Sequence, residues 1–458
     1  MSTRNLAILT GIIVVVVIGI IIVLVRPGPV TEPKIEFIEE KMGYDEVGWL
    51  TSIDGKLVYE AREGDKWLVV YEGEEGKRYD EITRLTSIDG KLAYVVREGD
   101  RWFVVYEGGE GKRYDEVTRL TSIDGKLVYV VREEDKWFVV YEEEEGKRYD
   151  EVKYFTNING KLAYDAREGG KWFVVLDGRE GKRYSSIGDI ININGKLAYV
   201  VREEDKWFVV YEGEEGKMYS WIGDIINVNG KLAYVTGERG KQFVVYEGEE
   251  GKKYDRVEWL ISVNGKLAYK AREGTRWLVV YEGKEGKMYD HIYHPINVNG
   301  KLAYDAREEG KWFVVYEGEE GKMYSWIGDI INVNGKLAYV TGERDKLFVV
   351  YEGEEGKRYD DTWLPTNING KLAYIAKTRG KQFVVYEGEE GRRYDEVTRL
   401  TSIDDKLAYV VREGDTWFVV YEGGEGKRYD EVTRLTSIDG KLVYVVREED
   451  KWHIVREK

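Results

Sequence analysis

The chain contains no cysteine, which excludes a disulfide framework, a thiolate metal site and a cysteine nucleophile. Histidine occurs three times in 458 residues, so little imidazole exists for metal binding or proton transfer. Glutamine appears only at Gln242 and Gln382, and Met is scarce beside abundant Lys and Glu, a composition that resembles thermophile proteins. Basic residues are outnumbered 70 to 86 by acidic ones, giving a formal charge of −16. A chain of that sign repels phosphate backbones, and nucleic acid is not expected as a partner. What is present is core material: 42% hydrophobic and 13% aromatic residues, too much for a disordered acidic chain.

One long apolar run stands apart from the rest. Leu6 to Val25 is 20 residues of apolar side chains interrupted only by Thr10 and two glycines, with Arg4 and Arg26 at its ends. At about 1.5 Å per residue, a helix of that length crosses roughly 30 Å of hydrocarbon. A cleavable signal would carry a shorter apolar region and a small-residue cleavage site, whereas this run leads into Arg26-Pro27-Gly28-Pro29. The expectation is a tail over 1–5, an uncleaved transmembrane helix over 6–25 and a Pro-containing linker over 26–42. The short tail is expected on the cytoplasmic side and the bulk of the protein outside, so the membrane is an expected partner.

From residue 43 onward a single unit repeats. Turn glycines from Gly55 through Gly90 and Gly125 to Gly440 fall on a 35-residue lattice, with Asp405 in one glycine's place. Twelve registers follow one another without insertion or deletion, and residues 102–137 recur unchanged as 417–452. Each unit reads as all-β. Asp54-Gly55 signals a tight hairpin, Lys56–Glu63 alternates, Trp67–Tyr71 is rich in strand formers, and Lys77–Ile82 reads as a fourth strand. Four short antiparallel strands per unit is the blade of a β-propeller. The last unit ends in its third strand, while Gly43–Val47 copies the fourth. That N-terminal segment is therefore expected to complete the last blade and close a ring, removing exposed edges. Twelve blades exceed the usual range of about four to eight, which favours two six-bladed rings. The missing linker near Glu247–Gly251 favours one ring, and both arrangements stay open.

The run Ser87-Ile88-Asp89-Gly90-Lys91-Leu92-Ala93-Tyr94, followed by Trp102-Phe103-Val104-Val105, resembles the TolB-like, WD40-like propeller repeat. The resemblance spans residues 43–458 and implies a propeller that is frequently extracytoplasmic. The family usually carries Pro where this chain has Ile88, and its frequent additional domain has no counterpart here. No activity follows, because propellers host many unrelated functions.

Differences between units point to a binding surface. Nine of the fourteen Trp occupy the repeated third-strand position and read as core. Trp49, Trp221, Trp259, Trp326 and Trp363, with Tyr154 and Tyr293, fall in variable segments read as links between blades. Arg84, Arg119, Arg399 and Arg434 lie in the same segments. Aromatic and Arg side chains on loops are the usual anchors of a binding surface, and inter-blade packing is the competing reading. Chemistry is less visible. His291 and His294 are three apart in an extended segment and point to opposite faces, and His453 stands alone at a core strand position. Acidic turns recur in most units, whereas a general acid is a unique, sheltered carboxyl. No catalytic residue, cofactor or metal is expected. The functional expectation is a membrane-anchored binding scaffold for a protein, peptide or glycan. A propeller glycan hydrolase or lyase and a purely structural surface element are the alternatives.

Overall fold

The computed structural model describes residues 37–41 and 43–458. The expected transmembrane helix over 6–25 lies outside them, as does most of the expected linker. Among the described residues no helix is long and apolar enough to cross a membrane.

Blade 1 shows how the repeat folds. Its strands are Glu46–Ile53, Lys56–Glu63, Lys66–Tyr71 and the two-residue Glu74–Glu75, paired antiparallel in that order. Asp54 and Gly55 both take positive φ, at 52° and 73°, the backbone of a tight hairpin turn whose twist matches the flanking strands. Glu72 and Gly73 do the same before the fourth strand, at 53° and 83°. Val58, Ala61, Leu68 and Val70 are buried, and their apolar burial is the main force holding sheet against sheet.

The fourth strand differs from expectation. Lys77–Ile82 is not one strand: Gly76 donates to Val69, the chain leaves the sheet, and Tyr79 returns to pair with Trp67. Glu81–Ile88 then becomes the first strand of the next blade. Alternation reads the same whichever sheet a segment joins. What assigns this one is its ladder, as Ile82 stands opposite Val96 and Glu81 pairs with Arg97 across its own hairpin.

Twelve such sheets form one all-β ring. First strands of neighbouring blades meet, as in blades 6 and 7, and the first strand of blade 12 meets that of blade 1. Hydrophobic clusters cross both junctions, joining Val228 and Val244 to Leu260 and Leu278, and Ile438 and Val443 to Val47 and Leu68. Two six-bladed rings would instead pair blade 1 with blade 6, so the arrangement is a single twelve-bladed ring. First strands are therefore innermost, and the exposed two-residue strands form the rim.

Closure uses a different segment from the one expected. Blade 12 contributes Glu431–Ile438, Lys441–Glu448 and Lys451–Glu457, and its outer strand is Phe37–Lys41, inside the expected linker. Of the expected segment Gly43–Val47, Gly43 to Asp45 lie in the crossing from blade 12 to blade 1, and Glu46 and Val47 begin the first strand of blade 1. Tyr44 packs edge-on against Tyr59, as Tyr79 does against Tyr94, and Asp45 pairs with Lys451, as Asp80 does with Lys66.

Candidate functional site

In most blades the segments read as links lie within the innermost strands; in blade 8 that strand is interrupted, as His291–Ile292 and Ile296–Val298, and in blade 9 it is shortened to Ile331–Val333. In blade 3 the pairing register shifts between Thr118 and Thr121, which makes Val117-Thr118-Arg119-Leu120 a β-bulge and not a connection. A bulge leaves one residue without a ladder partner and can turn its side chain away from the sheet. Arg84, Arg119, Trp259, Arg399 and Arg434 hold positive φ there, between 49° and 57°.

Every unit supplies one residue at this lattice position. Around the ring they are Trp49, Arg84, Arg119, Tyr154, Asp189, Asp224, Trp259, His294, Asp329, Leu364, Arg399 and Arg434. Trp49, Tyr154 and Trp259 are 54%, 59% and 45% exposed, and the Arg, Asp and His side chains of the set are exposed as well. Charge is segregated. Arg399 and Arg434 precede Trp49, with Arg84 and Arg119 following it; six blades away, Asp189 and Asp224 precede Trp259, and His294 and Asp329 follow. The ring thus has a basic arc and an acidic arc, each with a Trp at its middle.

Behind several aromatic bulges the second strand carries a charge where other blades carry Val or Ile. Glu60 accepts from the Trp49 backbone N–H at 3.3 Å, and Asp165 from that of Tyr154 at 2.6 Å. Burial pushes both carboxyls above their ordinary range, opposed by those hydrogen bonds and by Arg434 and Arg119 respectively. Arg119 itself stands over the Tyr154 ring, 5.1 Å from its centre.

Blades 7 and 8 form the densest cluster. Lys270 is buried, lies 3.1 Å from the Glu258 carboxylate and stands 4.1 Å from the centre of the Trp277 ring. Asp305 is buried and its carboxyl is raised to about 6, first by burial and further by Asp329, against the pull of its own amide and Lys270. His291 is lowered by burial and by Lys270 and Arg307. His294 lies against Trp259 with ring centres 3.8 Å apart, and Tyr293 against Trp312 at 5.0 Å.

Three of the other aromatic candidates are placed differently. Trp221 and Trp326 occupy the register of Glu46, whose partner Arg62 is replaced in those blades by Gly237 and Gly342. Each indole lies on its glycine: a Cβ on Gly237 would sit 2.6 Å from Trp221 Nε1, and one on Gly342 would sit 3.0 Å from Trp326 Nε1. A Trp–Gly pair has replaced an ion pair, so these rings pack within their own blades. Trp363 is half-buried against the cluster between blades 10 and 11. Glu60, Asp165, Lys270 and Asp305 were missed from sequence, although stacking the units shows them as the charged exceptions in a Val/Ile column. Among the described residues neither His291 nor His294 joins a metal-ligating group; the one such group is Glu39, Glu448 and His453.

These features define a closed β-propeller that places one variable residue of each blade at its inner face. No protein-family model matches the chain, and no curated protein matches it. Among solved structures it is similar to the β-propeller domain of the Trilobed protease from Pyrococcus furiosus, described as having an open velcro topology. That match has 14% identity, covers 53% of this chain and 94% of that one, and has a TM-score of 0.27. It is also similar to apo AztD from Citrobacter koseri, at 12% identity, 66% and 94% coverage and a TM-score of 0.28. At such scores the fold rests on the strand pairing alone.

Proposed function

We propose that this protein is a non-enzymatic binding scaffold of the TolB-like, WD40-like kind. In this reading Leu6–Val25 anchors it in a membrane, with the propeller on the extracytoplasmic side. The inner bulge ring receives a protein, peptide or glycan. The observation that carries the reading is the contrast at one lattice position, where the side chain varies from Trp to Arg to Asp inside an otherwise near-constant repeat. Exposed Trp and Tyr offer large rigid area at small entropic cost, and a buried anchor of this type contributes on the order of 2 kcal/mol or more. The test is capture from a defined glycan array and a displayed peptide library. A combined Trp49→Ala, Tyr154→Ala and Trp259→Ala variant should lose capture while keeping its melting temperature. Undiminished capture by that variant would remove the ring from the function. Protease protection of the propeller in sealed vesicles tests the membrane side.

One observation favours a second reading, a glycan hydrolase or lyase. Asp305 has the sheltered, raised carboxyl (to about 6) that a general acid requires. Turnover of any array glycan that disappears in Asp305→Asn would establish it, and its absence leaves the scaffold reading.

A further inference from the structure

At the third-strand core position eleven blades carry Phe or Leu, from Leu68 and Phe103 to Phe418, and each is buried. Blade 12 carries His453, which is 5% exposed. The departure is local, because residues 417–452 copy 102–137 without change and the next residue is His453 where the copied blade has Phe138.

His453 Nδ1 lies 3.2 Å from Glu39 Oε1 on the closing strand. Both atoms are buried, and neither makes a hydrogen bond. The spacing is that of an ion pair when the imidazole is protonated, and two buried polar atoms this close are costly unless a proton or a cation joins them. Glu448 completes a group in which one ligand atom from each residue lies within 4.8 Å of the others. Lys427 donates to Glu39 Oε2 at 3.0 Å and to Glu448 Oε2 at 2.8 Å. It thereby orients both carboxylates and leaves Glu39 Oε1 turned toward the imidazole. Two donors bound tetrahedrally to one zinc at about 2.0–2.1 Å stand roughly 3.3 Å apart, which matches the His453–Glu39 spacing.

The geometry points to a divalent transition-metal site of the zinc class, formed by His453 Nδ1 and the carboxylates of Glu39 and Glu448. An imidazole with two carboxylates suits zinc or its neighbours, whereas calcium and magnesium take oxygen ligands. Lys427 is the hydrogen-bonded support that ligating carboxylates commonly have. An ordinary blade already holds this lysine and both acids, as Lys112, Glu133 and Glu145 in blade 3, so a single Phe-to-His change completes the ligand set. Glu39 belongs to the closing strand and the other two ligands to the last blade's own strands. A bound ion therefore cross-links the two chain ends and acts as a clasp on the ring.

The test uses full-length protein in detergent, stripped with a chelator and titrated with Zn²⁺ by calorimetry and with Co²⁺ by visible absorption. The expected result is one ion per chain, a melting temperature several degrees higher with metal, and a 10–100-fold loss of affinity in Glu39→Gln. His453→Phe restores the residue of the other blades; it should stay folded and lose both binding and the metal-dependent rise in melting temperature. No saturable binding by the natural protein, or undiminished binding by His453→Phe, would overturn the site.

Discussion

The innermost strand of each blade and the three strands outside it follow opposite rules. Apart from the four charged exceptions, the blades are near-copies from the second strand outward, tied to their neighbours by edge-on Tyr and Phe rings such as Tyr79–Phe103 at 5.8 Å. Ion pairs such as Lys77–Glu110 at 2.7 Å also cross the junctions from blade 1 to blade 12, individually weak because they are exposed. At the inner bulge, Trp, Arg, Tyr, Asp and His succeed one another with no loss of the blade. A residue packed between two sheets must fit both at once, and a residue ejected by a bulge fits neither. Cohesion and display are thus separated within a single 35-residue unit.

The largest effect that sharpens this contrast is in the core. Phe103→Ala should cost about 3–5 kcal/mol, whereas Arg84→Ala two strands inward should stay within about 0.5 kcal/mol; denaturant unfolding of both variants measures the difference. Comparable losses would show that the bulge residues also hold the ring together.

Among the four charged exceptions behind the bulges, Asp305 has the carboxyl raised to about 6. Below about pH 4 its carboxyl is protonated in both folded and unfolded chains. As pH rises toward its folded value of about 6, only the unfolded chain gives up its proton, so stability falls with rising pH and then levels off. Asp305→Asn should therefore add on the order of 2 kcal/mol at pH 7 and flatten melting temperature against pH between roughly 4 and 6. An unchanged profile would place the group in a wetter setting than its burial implies.

A smaller effect divides the irregular Trp residues. Trp221→Ala opens space above Gly237 and should cost about 1–2 kcal/mol, while Trp49→Ala should leave thermal stability nearly unchanged. Equal losses would make Trp49 a packing residue as well. Smallest is the turn that lacks glycine: Asp404 and Asp405 both hold positive φ, 46° and 63°. Asp405→Gly should stabilise by at most about 1 kcal/mol, readable as a rise in denaturation midpoint.

The period, the hairpins and closure from the N-terminal side were legible because each rests on local chemistry: Asp-Gly turns, alternation, and a last unit short of one strand. The closing strand was not. Phe37–Lys41 pairs with Lys451–Glu457 through the backbone and carries little of the repeat. Glu39 alone keeps a repeat role, accepting from Lys427 as Glu110 does from Lys77. Ring number was hidden because a period says nothing about the curvature that brings blade 12 to blade 1. The bulge was hidden because one extra residue inverts the alternation, so Thr83-Arg84 looked like the end of a strand. The seven aromatic candidates were all irregular in sequence, yet only stacking by register separates Trp49, Tyr154 and Trp259 from the rings lying on Gly237 and Gly342.

The bulge also bears on how such a ring changes over generations. Copying a unit copies its display residue, as Arg119 and Arg434 in the duplicated stretches show. Where the second strand keeps Val or Ile, as behind Arg84 and Arg119, a point substitution then rewrites that residue without renegotiating the fold, whereas behind Trp49 and Tyr154 the partners Glu60 and Asp165 belong to the same change. The ring behaves as a twelve-character string whose spelling is free while its grammar is held by other residues. Descendants of one founding unit can therefore vary this one side chain by single-codon steps while the rest of the blade is inherited unchanged.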